Sequence, residues 1–289
     1  MSAQLAAIQV EHPAKEAARM FLRNPAAVVG AVLLGLIVTT AVFGPMLYHA
    51  DPFAITAMPM SPPLSQDALL GTDYLGRDIL TGLLYGGRAT LAVGATAALL
   101  SVVIGVTVGA LAGYFGGAVD EFLMRFTEFF QVLPALLFAM VLVTLFSPSL
   151  VTVSFAIGMS TWTSTARLAR AEFLKLKQLE FVTAERAIGA GNMRIVWKVI
   201  LPNAFPPLVV SGTLSVGAAI LFAAGLSYLG LTDPNTMSWG LMIGSSRQYI
   251  LSSWWAVTFP GIAIFLTVLS VTLIGDGLND ALNPKLRER

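Results

Sequence analysis

The sequence contains no cysteine and only two histidines, His12 and His49, each in a segment flanking an apolar run. Without thiols there is no disulfide, no thiolate metal site and no thiol redox chemistry. Two separated histidines do not make a metal cluster, nor do they supply a plausible Ser/His/Asp set. No G-x-x-x-x-G-K-[ST] loop occurs, so the chain cannot cradle nucleotide phosphates by that route. Charge is scarce too: 11% of the 289 residues are charged, against about 25% in ordinary soluble domains. So little charge cannot cover a water-facing surface. With 56% hydrophobic residues, the class is an all-α polytopic membrane protein whose surroundings include lipid. A net charge of +1 gives no basis for a nucleic-acid partner.

What is present is a series of apolar runs. Residues 26–47 follow a polar start carrying Lys15, Arg19 and Arg23. This run is longer than the roughly 7–15 residues of a signal-peptide core. At about 33 Å as a helix it is long enough to span a bilayer and to be retained. Further spans are predicted over about 89–113, 126–146 (bent at Pro134), 150–166, from Pro202, Pro206 and Pro207 to about 231, and 257–274. Six spans place both termini on one side. Fourteen of the 17 Lys and Arg fall in 1–25, 114–125, 167–203 and the tail, and three (Arg77, Arg88 and Arg247) on the opposite side. The positive-inside rule then puts both termini in the cytoplasm. The chain divides into a cytoplasmic segment 1–25, a first membrane helix 26–47, an outer segment 48–88, a five-helix core 89–276 and a cytoplasmic tail 277–289.

The spans hold almost no ionisable groups. Glu128 lies near the cytoplasmic end of the third and Asp276 follows the sixth, which argues against a proton- or sodium-coupled carrier. Gly105, Gly109 and Gly113 recur at every fourth residue. Such a ridge lets a neighbouring helix backbone approach closely, although glycine is also simply frequent in membrane helices. Outside, residues 72–84 have helical apolar spacing, with Thr72 or Asp73 as N-cap, and predict a short amphipathic helix at the membrane surface. In the segment 239–255, Trp239, Tyr249, Trp254 and Trp255 suit the headgroup region.

The informative stretch is a basic interruption at 167–203, with seven Lys and Arg against three Glu. Each charge at mid-bilayer costs about 2.5–3.5 kcal/mol, so the stretch cannot span. Within it Phe181, Ala184 and Ile188 share one helical face, and Gly189 and Gly191 break that helix. Asn192 can cap a second helix with Met193, Val196 or Trp197, and Ile200 on its apolar face. Pro202 is expected to end that helix and push Leu201 out of helical geometry. Two amphipathic helices exposed in water would leave apolar faces to be covered, either by a partner or by folding back on the membrane surface.

At these residues the sequence resembles the inner-membrane permeases of ABC importers. Their cytoplasmic signature is E-A-A, three residues, G, nine residues, I-x-L-P. Thr183-Ala184-Glu185 stands at the EAA positions, Gly189 at the glycine and Val199-Ile200-Leu201-Pro202 at the end. Thr183 replaces the usual Glu and Glu185 the second Ala. RNPAAVVGAVLLGLIV, LLGTDYLGRDIL, GYFGGAVDEFLMR, ARLARAEFL and GDGLNDALNPKLR extend the resemblance over nearly the whole chain. They narrow it to the dipeptide/oligopeptide/nickel subfamily, as the second of two non-identical permeases. The resemblance implies a type I permease fold with six transmembrane helices and cytoplasmic coupling helices. It implies a sister permease, two ATP-binding subunits that hold ATP and Mg, and an extracytoplasmic solute-binding protein. The chain itself is then non-catalytic and without cofactor, in the bacterial inner membrane. Phe181, Thr183, Ala184, Glu185, Ile188, Gly189, Leu201 and Pro202 become the expected ATPase contacts. Dipeptides or short peptides are the expected solute, with nickel chelates or glutathione-like peptides as alternatives. A secondary carrier and a non-transporting scaffold are the competing classes.

Overall fold

The computed structural model describes residues 13–65 and 68–282, which form helices joined by short connections and one long outer segment, without β-strands among them. In chain order these are α1 (Pro13–Arg23), α2 (Pro25–Leu47), α3 (Ile79–Phe115), α4 (Gly117–Val132) and α5 (Ala135–Phe146). There follow α6 (Leu150–Leu176), α7 (Glu180–Ala187), α8 (Asn192–Tyr228), α9 (Trp239–Ser246) and α10 (Trp255–Leu282). Residues 1–12 and 283–289, with His12, Lys285, Arg287 and Arg289 of the sequence argument, lie outside the described residues.

Four helices, α2, α3, α8 and α10, are long and apolar enough to cross a membrane. The pair α4–α5 passes the same test only together, and it is bent by 85°. The cause is Pro134, which holds Leu133 in an extended conformation (φ −68°, ψ 127°) because its ring disfavours helical geometry in the preceding residue. The expected single bent span is thus two helices set almost at right angles. α6 carries Arg167 and Arg170 in its C-terminal half and runs ten residues past Ala166 to Leu176. The chain is a multi-pass membrane protein.

The helix starts follow local chemistry. Asn24 Oδ1 accepts from the Ala26 and Ala27 N–H groups at 3.0 and 3.2 Å, and Pro25 sits where no N–H is required. Near the other end of α2, Pro45 deprives the Ala41 carbonyl of its usual donor. Arg88 Nε on α3 supplies one at 2.9 Å.

α3 and α6 form the most extensive helix pair, and the glycine ridge lies at their seam. A Cβ on Gly105 would stand 2.6 Å from Thr165 Cβ, and one on Gly113 would stand 2.7 Å from Phe173 Cβ. One on Gly109 would overlap the Ala166 carbonyl oxygen. The two backbones touch along this ridge, and only hydrogen fits between them.

The outer segment departs from expectation. No separate helix covers 72–84: residues 72–78 are irregular, and 79–84 are the first turns of α3. Gly71 and Gly76 both sit at φ 83°, a conformation no right-handed helix contains. Helix begins at Ile79 instead, where Asp78 Oδ2 accepts from the Thr81 N–H and hydroxyl at 2.9 and 2.6 Å. From there α3 runs uninterrupted into the second span, roughly 55 Å in all. Thr72 and Asp73 serve the loop rather than the helix. Thr72 Oγ1 donates to the Met58 carbonyl and accepts from the Ser61 N–H. Asp73 Oδ1 accepts from the Leu75 and Arg77 N–H groups. Trp239 and Trp255 are packed inside the chain rather than presented on its surface. They are 4% and 7% exposed, and their indole N–H groups donate to the Leu83 and Thr72 carbonyls at 2.9 Å each. A buried indole needs such a partner; Trp255 finds one in the irregular loop and Trp239 one on the second turn of α3.

At the opposite end Asn24 Nδ2 donates to Asp280 Oδ2 at 3.1 Å, joining the start of α2 to the last turn of α10.

Candidate functional site

The interruption at 167–203 becomes the last turns of α6, the short helix α7 and the first turns of α8. α7 ends in a two-bond C-cap. The Gly189 N–H donates to the Arg186 carbonyl at 3.0 Å and the Ala190 N–H to the Glu185 carbonyl at 3.0 Å. This closure needs a left-handed residue, and Gly189 supplies it at φ 84°. A Cβ there would meet nothing within 4 Å. The constraint on Gly189 within this chain is therefore backbone conformation, not close approach.

The expected second short helix does not stop at Pro202. Leu201 is helical (φ −56°, ψ −44°), and Asn192–Tyr228 is one continuous helix of 37 residues. The physical reason is a π-helical segment, Ile195–Ile200. There the Leu201 N–H bonds the Val196 carbonyl five residues back. Widening the helix by one residue before Pro202 relieves the contact between a proline ring and the preceding turn. What reads as a break in sequence is a rigid connection into a membrane helix.

The apolar faces are also not both uncovered. Val182 on α7 and Ile195, Val196 and Ile200 on α8 are fully buried. They pack in one cluster with Ala110 and Tyr114 of α3 and Ala169, Phe173 and Leu176 of α6. Of the alternatives on α8, Val196 turns inward while Met193 and Trp197 face out. Phe181, Ala184 and Ile188 together form the outward face of α7, with Ile188 77% exposed. Thr183 is exposed, Glu185 and Leu201 are partly buried, and Pro202 is exposed. Glu185 Oε2 is enclosed and accepts no hydrogen bond in this structure.

Charged braces hold this end together. Arg170 grips Asp120 on α4 with two bonds, Nε to Oδ1 at 2.5 Å and Nη2 to Oδ2 at 2.6 Å. Lys177 Nζ donates to the Gly113 carbonyl at 2.8 Å, one of the orphan carbonyls at the end of α3. The Arg186 guanidinium lies 5.5 Å from the centre of the Tyr114 ring, and the Tyr114 hydroxyl donates to Asn192 Oδ1 at 2.9 Å. Sequence reasoning missed Tyr114, Val182 and Lys177. Val182 could have been found by asking which α7 face opposes Phe181 and Ile188; Tyr114 could not, being 78 residues from its partner.

This arrangement presents an apolar helix face on a braced platform, connected through one unbroken helix to the membrane core. Comparison with known proteins agrees in kind. A family model described as binding-protein-dependent transport system inner membrane component matches residues 105–288. The chain belongs to that family. A second model, the N-terminal TM domain of oligopeptide transport permease C, matches residues 12–64. The di/tripeptide transport system permease protein DppC of Pseudomonas aeruginosa is 39% identical, the alignment covering 95% of this chain and 93% of that protein. The dipeptide transport system permease protein DppC of Bacillus subtilis is also 39% identical, over 94% and 86% of the two chains. The oligopeptide transport system permease protein OppC of the same organism is 37% identical, over 95% and 90%. Among solved structures, a chain of the MetNI methionine ABC transporter in an inward-facing conformation superposes with a TM-score of 0.60. It covers 70% of this chain and 96% of that one at 21% identity, which shows a shared type I ABC permease fold.

Proposed function

We propose that the chain is one of two transmembrane subunits of an ATP-driven, binding-protein-dependent importer for dipeptides or short peptides, in a bacterial inner membrane. The relatives' transport of peptides supports the solute class. The observation that carries the mechanism is the outward face Phe181, Ala184 and Ile188 on a helix whose other face is locked into the bundle. A helix so held can sit in a groove of an ATPase subunit and pass rigid-body displacement inward with little internal flexing. ATP and Mg belong to that subunit. A sister permease would complete the pathway, and a solute-binding protein would meet the outer segments 48–78 and 229–254.

Six crossings with both ends in the cytoplasm are the matching topology. Asn24 and Asp280 adjoin at one end, where the last turns of α3 and α6 and the first of α8 also meet. Arg23, Arg170, Lys177 and Arg186 lie at these helix ends, which suits a cytoplasmic face under the positive-inside rule.

The test is Gly189→Trp in the assembled importer, with Gly189→Ala beside it. Gly189→Ala forces a side chain into left-handed geometry at a cost of about 1–2 kcal/mol, and peptide uptake should fall while the membrane bundle stays folded. Gly189→Trp should in addition lose co-purifying ATPase. Normal uptake with normal ATPase co-purification in Gly189→Trp would overturn the docking assignment.

A further inference from the structure

The last turn of α3 is clasped by all three parts of the docking segment. Lys177, in the link between α6 and α7, donates to the Gly113 and Tyr114 carbonyls at 2.8 and 3.4 Å. Arg186, on α7, lies over the Tyr114 ring. Asn192, the first residue of α8, accepts from the Tyr114 hydroxyl. Tyr114 itself is 6% exposed and belongs to the same buried cluster as Val182, Ile195 and Val196. The ring is buried in this cluster while the hydroxyl reaches Asn192 at its partly buried edge, so the bond to Asn192 fixes where the start of α8 sits. The glycine ridge, meanwhile, joins α3 to α6 backbone against backbone.

We infer that Tyr114 is a positioning residue that ties the inner end of α3 directly to the start of α8. α6 and α8 both run covalently into the docking segment, so each would move with α7 in any case. α3 is remote in sequence and is carried by α6 through the glycine ridge. The Tyr114 joint fixes it to α8 as well, so one displacement at α7 moves the α3–α6 pair and α8 in register. Without the joint α8 shifts against α3, and hydrolysis by the partner is no longer converted fully into opening and closing of the pathway. This inference rests on the docking reading above.

The absence of cysteine allows a clean test. Spin labels on Phe115→Cys, the exposed last residue of α3, and Met193→Cys, exposed on the first turn of α8, report the distance between the two elements in the full chain in nanodiscs without ATPase. A single narrow distribution is expected. Tyr114→Phe keeps the ring and its burial but loses the hydroxyl, and should add a second, broader population. Asn192→Ala should do the same, and the double variant should be no broader than either single one, because all three remove one bond. In the assembled importer, Tyr114→Phe should lower peptide uptake per ATP hydrolysed by about three- to tenfold, the scale set by one partly buried hydrogen bond. ATPase co-purification should stay unchanged. Distance distributions that stay narrow in Tyr114→Phe, additive effects in the double variant, or an unchanged uptake-to-hydrolysis ratio would each overturn the joint. Loss of uptake in step with loss of assembly would also overturn it, by showing a merely structural role. If the unmutated chain fails to retain ATPase, the docking reading itself falls, while the label distances still report on the bond separately.

Discussion

The two ends of the bundle solve the same problem by different chemistry. At the outer end the chain leaves helical geometry for some thirty residues between α2 and α3, and each freed backbone group needs a partner. It finds them in short, directional bonds close to hand: Trp255 to the Thr72 carbonyl, Thr72 bridging Met58 and Ser61, and Asp73 accepting from the Leu75 and Arg77 N–H groups. At the inner end the backbone stays helical almost throughout, even across Pro202. There the braces are charged side chains, Arg170 to Asp120, Lys177 to the end of α3 and Arg186 over Tyr114. Irregular backbone with buried bonds makes a fixed cap. Regular helices tied by a few charged contacts make a braced end that leaves one face of α7 exposed.

Three variants would break or sharpen this contrast. Gly109→Leu should have the largest effect, because it drives a side chain into the Ala166 backbone at the seam serving both ends. Overpacking of this kind costs about 3 kcal/mol or more, and the expected outcome is loss of monodisperse protein on size-exclusion chromatography in mild detergent. Trp255→Ala comes next, at about 3–5 kcal/mol for an aromatic truncation in a packed site. Its thermal midpoint should drop by the same amount in low and high salt, since the lost contacts are neutral. Arg170→Gln should be the smallest, about 1 kcal/mol for a partly exposed pair. Its deficit should shrink as salt rises and screens the wild-type pair. A salt-dependent Trp255→Ala or a salt-independent Arg170→Gln would dissolve the distinction between the two ends.

Much of the inner end was legible because its signals are local. Gly189 is required by the closure of α7 two residues away, and the ridge Gly105–Gly109–Gly113 shows as a simple period. The outer cap was not legible for the opposite reason. Residues 72–84 have helical apolar spacing, but the left-handed glycines at 71 and 76 and the pull of Trp255 on the Thr72 carbonyl override it. Those indoles carried a headgroup signal by composition, and only their carbonyl partners reveal them as buried anchors.

Hydropathy and proline placement alone determined which segments become long helices and where α4 and α5 part, because transfer free energy and the pre-proline restriction act residue by residue. Tertiary structure decided which face of α7 and α8 is buried, whether α8 passes through Pro202, and that Tyr114 meets Asn192. Each of those depends on surfaces brought together across the fold, where packing and partner satisfaction outweigh local preference.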